Sequence, residues 1–470
     1  MNNVDLLITG GEVITHTERR HATVAIHQGK VVALLEPHAA PPRAERTIAA
    51  NGLYVLPGAI DPHTHIGGAT KVLGNLADAM KVCTRALALG GTTTVMEMIP
   101  PTKGLSLRAG LREARSERQG TMAIDFAFHP SLASVDDEVI AGLEECAEDG
   151  SPSFHGSFEG ARGRDPLDEG GLWRLLNLAR SRKMMAVIHA EDARLNREII
   201  RQTDNAGALE NVARCRPWFS ETAAVKRSVF IAQLTRGPVY FEHLGAGPSL
   251  DVLATARAGG FPVYGETCPH YLCFSEEIYR TSRGVEFLKS PPLRRNEDCA
   301  SLWDGIAHGS ISSVATDESL ALIVEKRRLA ERLPAYEVSG GLNQIEVRLA
   351  VMHTEMVIKR GMPLEKLVYL LSAAPALIFG LYPRKGTVAV GSDADLVLFD
   401  PAIRKQIKNE ELHQSTDHTI FEGWEVQGIP RMTIARGNVL AEDGIWVGPG
   451  SQGQWLERQI DPAIIQGPGV

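Results

Sequence analysis

The feature that most restricts the fold of this chain is a repeated alternation of short apolar segments with longer helical ones between residues 55 and 318. Eight segments have the length and composition of buried strands, namely VLPGAIDPHTH, TTTVMEMI, AIDFAFH, SPSFHGSF, MMAVIHAE, PVYFEHLG, PVYGETCP and ISSVATDE. Intervening segments such as LADAMKVCTRALALGG and GLWRLLNLARSRK have helical spacing. Strands that alternate with helices form parallel sheets. Eight such units close a (β/α)8 barrel, so the sequence predicts an α/β protein with a TIM barrel.

Both ends of the chain differ from this middle part. Residues 1–55 alternate apolar and polar positions in short runs, with Gly10-Gly11 and Gln28-Gly29 as turn signals. GTVAVGSDADLVLFD and PRMTIARGNVLAEDGIWV have the same pattern near the C-terminus. We predict a small β-sandwich domain built from both chain termini, residues 1–55 and 385–450, around a barrel of residues 56–384. Residues 451–470 are expected to form a C-terminal tail.

Composition and charge argue against several classes of protein. The 49 basic and 57 acidic residues give a net charge of −8 that is spread along the chain, which does not indicate binding to nucleic acid or to a membrane surface. The six cysteines show no CxxC spacing, as is typical of reduced thiols. Neither a signal-peptide pattern nor an apolar stretch of about 18 residues occurs. We expect a cytoplasmic protein.

The first predicted strand ends in two histidines, His63 and His65. Side chains alternate along a strand, so both imidazoles should lie on one face. Two neutral nitrogen donors suit zinc or a similar divalent ion. Because the chain has 15 histidines, a His-x-His pair arises by chance roughly half the time. Its position adds weight, since barrel enzymes keep their chemistry at the carboxyl ends of the strands.

Polar side chains with metal-ligand chemistry recur at the ends of the later strands. They are Glu97, His129, His155, His189, His243, Glu266 and Asp317. For any single one, a structural role is the simpler interpretation, and Asp317 could instead cap a helix. A barrel nevertheless brings all of these strand ends to one mouth. The combined set therefore predicts a metal site there.

Several motifs carry a resemblance to a known family. They are DPHTH, IHAED, FEHLG, ETCPHYL, KSPPLR, ATDE and GSDADLVLFDP. The chain resembles the amidohydrolase superfamily over nearly its whole length, and within it the hydantoinase, dihydropyrimidinase and allantoinase group of cyclic amide hydrolases. This resemblance implies a metal-bearing barrel with a terminal β-sandwich. It also implies a small cyclic amide as substrate and a homo-oligomer, either a dimer or a tetramer.

The same resemblance implies roles for individual residues. His63, His65 and Asp317 would hold one divalent ion, and His189 with His243 a second, with Zn²⁺ as the expected metal. Such an ion lowers the pKa of bound water and polarises the amide carbonyl. Asp317 would accept the proton of the water and pass it to the leaving nitrogen.

One position departs from this group, whose members place a carboxylated lysine at the end of strand four to bridge two metals. His155 stands there instead, and a neutral imidazole has one lone pair and no negative charge for bridging. We predict that His155 is either a terminal ligand of the second metal or a group beside a single metal. Glu159 has the same strand parity but lies about 13 Å further along an extended strand, so it could replace the bridge only if the loop folded back.

The expected substrate site also differs from that of the resembling group. Ser290 in KSPPLR is retained and would make a backbone contact to the substrate. Gly160 and Gly340 stand in place of a tyrosine and an asparagine, which removes bulk and hydrogen-bond donors. We predict that Ser290 and Gly340 line a substrate region that is more open than in relatives. A substrate larger than hydantoin, or of a different shape, would follow.

The sequence therefore favours metal-dependent hydrolysis of the C–N bond of a cyclic ureide or imide by metal-activated water, with one or two divalent ions per chain. Two alternatives stay open. One is a non-catalytic structural or assembly protein that kept the barrel, and the other is a mononuclear amidohydrolase acting on a different amide. The retained histidines and the aspartate argue against a scaffold, which needs none of them.

Overall fold

The strands of the protein fall into three regions of the chain in the computed structural model, which describes residues 3–160, 166–338 and 340–467. Strands before the barrel are β1 (Asn3–Thr9), β2 (Glu12–Ile14), β3 (Arg19–His21), β4 (Thr23–His27), β5 (Lys30–Leu35), β6 (Arg43–Ala49) and β7 (Tyr54–Pro57). Barrel strands are β8 (Ala59–Thr64), β9 (Thr92–Ile99), β10 (Asp125–Pro130), β11 (Ser153–Ser157), β12 (Met185–His189), β13 (Val239–Phe241), β14 (Val263–Thr267) and β15 (Ser313–Val314). Strands after the barrel are β16 (Leu396–Gln406), β17 (Glu425–Ala435), β18 (Asn438–Glu442) and β19 (Ile445–Trp446).

The barrel strands form a closed parallel ring. β8, β9 and β10 pair in one sheet, and β11 to β15 pair in chain order in another, all in parallel register. Two isolated parallel bridges join these sheets, one between Ser131 and His155 and one between Thr64 and Glu318. Each predicted strand segment overlaps one observed barrel strand, so the predicted TIM barrel is confirmed.

Helices connect the strands, and several of them begin at polar caps. The α-helices of the described residues are α1 (Thr70–Leu73), α2 (Leu76–Leu89), α3 (Leu107–Arg118), α4 (Asp137–Glu148), α5 (Glu169–Arg182), α6 (Ala193–Gln202), α7 (Val212–Cys215), α8 (Trp218–Thr235), α9 (Gly247–Ala258), α10 (Pro269–Cys273), α11 (Asn296–His308), α12 (Ile323–Ala330), α13 (Arg348–Met352), α14 (Leu364–Val368), α15 (Ala374–Ile378) and α16 (Pro462–Gln466). Side chains of Asn75, Asp136 and Asp168 accept backbone N–H bonds at the starts of α2, α4 and α5, which satisfies groups left open there. None of these helices is long and apolar enough to cross a membrane.

The strands outside the barrel form two further sheets. One has the order β5-β4-β1-β6, and the other has the order β19-β18-β17-β16-β7-β2-β3. The second sheet combines both chain ends, because β16 pairs antiparallel with β7. Apolar side chains of both sheets form one buried cluster, which includes Ile8, Val24 and Val55 from the N-terminal part and Leu396 and Ile434 from the C-terminal part. The predicted sandwich built from both termini is therefore present.

The C-terminal segment up to residue 467 packs against the barrel. Backbone hydrogen bonds join Gly453 to Met122 and Leu456 to Phe126. The ring of Trp455 lies 5.9 Å from that of Phe126. Residues 451–467, which we call the C-terminal arm, are thus part of the barrel's packing.

Candidate active site

A first group of possible metal ligands forms where the first and last barrel strands end. His63 lies on β8 and His65 directly follows that strand. Asp317 follows β15 at a φ of 51°, and its backbone N–H donates to the carbonyl of His63 at 3.0 Å. Its Oδ1 lies 3.3 Å from Nε2 of His63 and 3.4 Å from Nε2 of His65. Asp317 does not cap a helix, because α12 begins only at Ile323.

A second group forms at the ends of β12 and β13. His189 is the last residue of β12, while Glu242 and His243 follow β13. Nδ1 of His189 lies 2.9 Å from Nε2 of His243, and Oε1 of Glu242 lies 3.1 Å from the same nitrogen. All three side chains are buried. The sequence predicted the two histidines at this place but missed Glu242.

Strand geometry explains why Glu242 was missed, although it precedes His243 in the motif FEHLG. Adjacent side chains of a continuous strand point to opposite faces, so they should not share a site. Here β13 ends at Phe241, and His243 has a φ of 39°. The carboxylate of Glu266 accepts the backbone N–H of His243 at 3.0 Å and holds this turn. A carboxylate and an imidazole that are neighbours in sequence thereby face the same space.

The structure places His155 beside Glu242 and outside both groups. Its Nε2 lies 3.1 Å from Oε1 of Glu242, and its Nδ1 lies 3.1 Å from Oγ of Ser131. Within the described part of the chain, one further set of side chains has donor atoms close enough for an ion, namely Glu159, His189 and Glu191. Direct ligation by His155 thus stays a prediction.

The loop after β11 folds back, so the extended-strand estimate for Glu159 does not apply. β11 ends at Ser157, and Oε2 of Glu159 lies 3.3 Å from Nε2 of His189. Nη2 of Arg216 lies 2.8 Å from Oε1 of Glu159, and Oγ of Ser290 donates to Oε2 at 2.9 Å. Glu159 therefore belongs to the site, on the side of the second group.

Of the two predicted substrate-binding residues, only Ser290 lies beside the ligand groups, through its bond to Glu159. A Cβ atom at Gly340 would lie 2.6 Å from Cε of Lys326, and one at Gly160 would lie 2.6 Å from a proline ring. A side chain at either position would therefore meet a neighbouring residue of the described part of the chain. That Gly340 lines the substrate site, and that the pocket is more open there than in relatives, stay predictions.

A buried lysine, to which the sequence assigned no role, lies against the first group. Nζ of Lys289 donates to Oδ2 of Asp317 at 2.5 Å and lies 2.9 Å from Nε2 of His270. Asp317 thus presents one carboxylate oxygen to the histidines and the other to an ammonium group. Lys289 directly precedes Ser290 in the motif KSPPLR, and this position in the motif is the sequence feature that could have indicated a role at the site.

Burial and charge together shift the pKa values of these groups. Burial alone would raise the pKa of Asp317, but Lys289 and His63 hold it well below its ordinary value. Burial alone would lower the pKa of His63, but Glu242 and other carboxylates raise it to about 10. For His243 burial dominates and lowers the pKa to about 4. A metal ligand must be an ionised carboxylate or a neutral imidazole, so the carboxylates are in the required state, while a divalent ion would take the place of the proton that these carboxylates favour on His63.

Other polar residues at the strand ends have structural partners. Glu97 forms a buried ion pair with Arg118 at 2.6 Å. His129 is buried and is hydrogen-bonded through both ring nitrogens. Glu266 pairs with Nδ1 of His63 at 2.8 Å and so orients that imidazole. For Glu97 and His129 the simpler, structural interpretation therefore holds.

The donor atoms of the two groups fit divalent metal ions. Oε2 of Glu242 is buried and has no hydrogen-bond partner within the described ranges. Buried Nε2 of His189 makes no hydrogen bond there but lies 3.3 Å and 3.5 Å from carboxylate oxygens of Glu159 and Glu191. A buried polar atom without a partner costs free energy, so each such atom needs an explanation. Both lie among other possible ligand atoms. Imidazole nitrogens combined with carboxylate oxygens are a usual ligand set of zinc and related ions.

Comparison with known sequences agrees with this geometry. The model of the amidohydrolase family matches residues 54–440. A D-hydantoinase of Streptomyces coelicolor is 32% identical over 462 residues, which cover 96% of this chain and 97% of that protein. A D-phenylhydantoinase of Escherichia coli O9:H4 is 32% identical over 465 residues, which cover 97% of this chain and 98% of that protein.

Solved structures show the same relationship. A D-hydantoinase structure superposes with a TM-score of 0.90 at 29% identity, covering 97% of this chain and 99% of that one. The dihydropyrimidinase of Brevibacillus agri NCHU1002 superposes with a TM-score of 0.89 at 30% identity, covering 96% and 98%. The barrel and its ligand groups define a metal-dependent hydrolase. The chain belongs to the amidohydrolase family, among its hydantoinase-like cyclic amide hydrolases.

Proposed function

We propose that the protein opens a small cyclic ureide or imide by hydrolysing a C–N bond of the ring with water as the nucleophile. The observation that carries this proposal is the convergence of His63, His65 and Asp317 at the barrel mouth. Their donor atoms lie within 3.4 Å of one another. Relatives that are D-hydantoinases support the cyclic amide as the substrate class.

The two ligand groups have separate places in this proposal. His63, His65 and Asp317 would hold one divalent ion, and His189 with His243 would hold a second. When bound, such an ion lowers the pKa of water and polarises the carbonyl of the amide. We propose Zn²⁺, because its usual ligands in hydrolases are histidines and a carboxylate.

Asp317 is the proposed general base and general acid. Its Oδ1, on the side of the histidines, can accept a proton from the attacking water and return it to the leaving ring nitrogen. Lys289 binds the other oxygen at 2.5 Å and so keeps the carboxylate ionised and oriented. One oxygen of Asp317 can therefore act as a base, while the bond of the other oxygen to Lys289 holds the carboxylate in place.

Ser290 is the proposed contact to the substrate ring. Its hydroxyl donates to Glu159, which in turn lies 3.3 Å from His189. Ser290 therefore stands next to the second ligand group, through Glu159. Its backbone would bind the imide of that ring.

A homo-oligomer in the cytoplasm, either a dimer or a tetramer, completes the proposal. Phe230 and Leu234 lie one turn apart on α8 and are 61% and 57% exposed, an apolar surface that a second copy of the chain could cover. The cysteines of the described residues are all unpaired, as in proteins of reducing compartments.

A substrate panel combined with metal analysis tests the proposed reaction. Hydantoin, 5-substituted hydantoins, dihydrouracil, allantoin and succinimide would be incubated with metal-loaded and metal-stripped protein, and ring opening would be followed by NMR. We expect at least one ring to be opened by the loaded protein and none by the stripped one. His63→Asn should remove both bound metal and turnover.

The matched control is His308→Asn, because His308 is exposed and lies at the end of α11, away from the ligand groups. This variant should keep the metal content and turnover of the wild type. Turnover by metal-free protein would contradict the metal-dependent reaction. Full metal occupancy without opening of any ring would instead support a non-catalytic protein or a different amide.

A further inference from the structure

Because His155 stands where the resembling group has a bridging lysine, another residue would have to supply negative charge between the two ligand groups. A negatively charged ligand between two divalent ions stabilises the pair, because the two positive ions repel each other. The side chain of His155, within β11, is an imidazole and carries no such charge. A carboxylate from elsewhere in the barrel would have to supply it.

Glu242 lies between the two groups. Its Oε2 lies 3.7 Å from Nε2 of His63, which belongs to the first group. Its Oε1 lies 3.1 Å from Nε2 of His243 and 3.7 Å from Nδ1 of His189, the histidines of the second group. One oxygen of a single carboxylate therefore faces each group.

The carboxylate oxygen of Glu242 that faces the first group is also the one without a hydrogen-bond partner. Oε2 of Glu242 is buried and makes no hydrogen bond within the described part of the chain. Removing a carboxylate oxygen from water without replacing its hydrogen bonds is costly, and a cation beside it would remove that cost. The burial of Glu242 thus favours an ion on the side of His63.

We propose that the carboxylate of Glu242 bridges two divalent ions, in the place that relatives give to a carboxylated lysine. This inference rests on the metal centre of the proposed function. A carboxylate and a lysine carbamate offer the same donors, two oxygens that share one negative charge. The lysine modification is therefore unnecessary in this chain.

His155 is a positioning residue in this arrangement. Its Nε2 lies 3.1 Å from Oε1 of Glu242, and its Nδ1 lies 3.1 Å from the hydroxyl of Ser131. An imidazole that accepts from the serine and donates to the carboxylate orients Glu242 toward both groups. Partners of this kind typically change metal affinity about 10- to 100-fold.

Glu159 is the competing candidate, and its contacts argue against it. Both of its oxygens are already engaged, Oε1 by Arg216 and Oε2 by Ser290. Its nearest ligand atom is Nε2 of His189, on the side of the second group. Glu159 can neutralise charge near one ion, whereas Glu242 reaches both groups.

The test is to rebuild the metal centre with Mn²⁺ in buffer depleted of carbon dioxide. Wild type, Glu242→Gln, Glu242→Asp, Glu159→Gln and His155→Ala would be stripped and reloaded. Bound ions would be counted by mass spectrometry, and the electron paramagnetic resonance spectrum would report whether the two ions are coupled through a shared ligand. Circular dichroism would show that each variant is folded.

We expect the wild type to regain two coupled ions per chain without bicarbonate. Glu242→Gln should lose the coupling and at least one ion, and Glu242→Asp should restore part of both because it returns the carboxylate. Glu159→Gln should keep the coupled pair. His155→Ala should keep it too, with metal affinity about 10- to 100-fold lower.

Several outcomes would overturn the proposal. A wild type that regains its ions only with bicarbonate would point to a carboxylated lysine. Two coupled ions in Glu242→Gln, or only one ion in the wild type, would remove Glu242 from the bridge while leaving the proposed function intact. A wild type that binds no ion at all would overturn both proposals.

Discussion

The backbone conformation of Asp317 determines the geometry of the first ligand group. It follows β15 at a φ of 51°, a region that residues other than glycine rarely adopt. This conformation sets Oδ1 within 3.4 Å of both His63 and His65, while Oδ2 receives Lys289. A residue just beyond the two-residue strand β15 thereby joins the ends of the first and last strands of the ring.

We expect Asp317→Asn to lower the turnover rate by at least ~100-fold, because the amide keeps the shape of the side chain but cannot accept the proton. Steady-state kinetics with the substrate found in the panel would measure this, together with metal content. Asp304→Asn on the exposed side of α11 is the control and should leave the rate unchanged. Near-normal turnover with intact metal would give Asp317 a structural role.

At the scale of elements, one buried lysine connects the barrel to the sandwich. Lys385 lies between α15 and β16, and its Nζ binds Asp125 of β10 at 2.6 Å. The same nitrogen binds Asp395 at 2.7 Å and Asp393 at 3.0 Å, just before β16. Three carboxylates from two layers therefore surround the Lys385 ammonium group, and Arg436 and Lys30 supply further positive charge to Asp125 and Asp393.

Lys385→Met should lower the free energy of unfolding by about 3–5 kcal/mol, because it removes the cation that binds buried Asp395 and reduces the positive charge beside Asp125 and Asp393. Chemical unfolding followed by circular dichroism would measure the change. Lys103→Met, at an exposed loop position, should stay within about 0.5 kcal/mol of the wild type. Equal stabilities for the two variants would mean that Lys385 does not hold the layers together.

At the scale of the whole molecule, the C-terminal arm helps to fill the barrel interior. Ile60, Met96, Tyr240 and Tyr264 belong to a buried cluster that also contains Ile464 of α16. The hydroxyl of Tyr264 donates to the backbone carbonyl of Ile464 at 2.7 Å. The last helix is thus part of the core, although the sequence suggested only a tail.

Ile464→Ala should lower the free energy of unfolding by about 2–5 kcal/mol, the usual cost of a cavity in a packed core. Ile445→Ala is the matched control, since Ile445 is 65% exposed and should cost less than about 0.5 kcal/mol. Thermal and chemical unfolding of both variants would give the difference. A loss for Ile464→Ala as small as that of the control would show that the arm packs only loosely.

The sequence by itself determined the barrel and the sandwich, because both follow from local patterns. Each barrel strand is a short apolar run between helical segments, and the sandwich strands lie in short, partly alternating runs near both ends of the chain. The position of His63 and His65 at one mouth also followed, since alternation on β8 and the parallel direction of the strands are enough to place them.

Only the tertiary structure decided which side chains meet inside the mouth. Glu242 and His155 are 87 positions apart, and their contact depends on the end of β13 and on the φ of 39° at His243. Glu159 joins the site because the chain turns back after β11. The periodic pattern of apolar residues describes a strand only up to its last residue. Contacts made by the loops beyond the strands depend on the backbone dihedrals of those loops, which this periodicity does not encode.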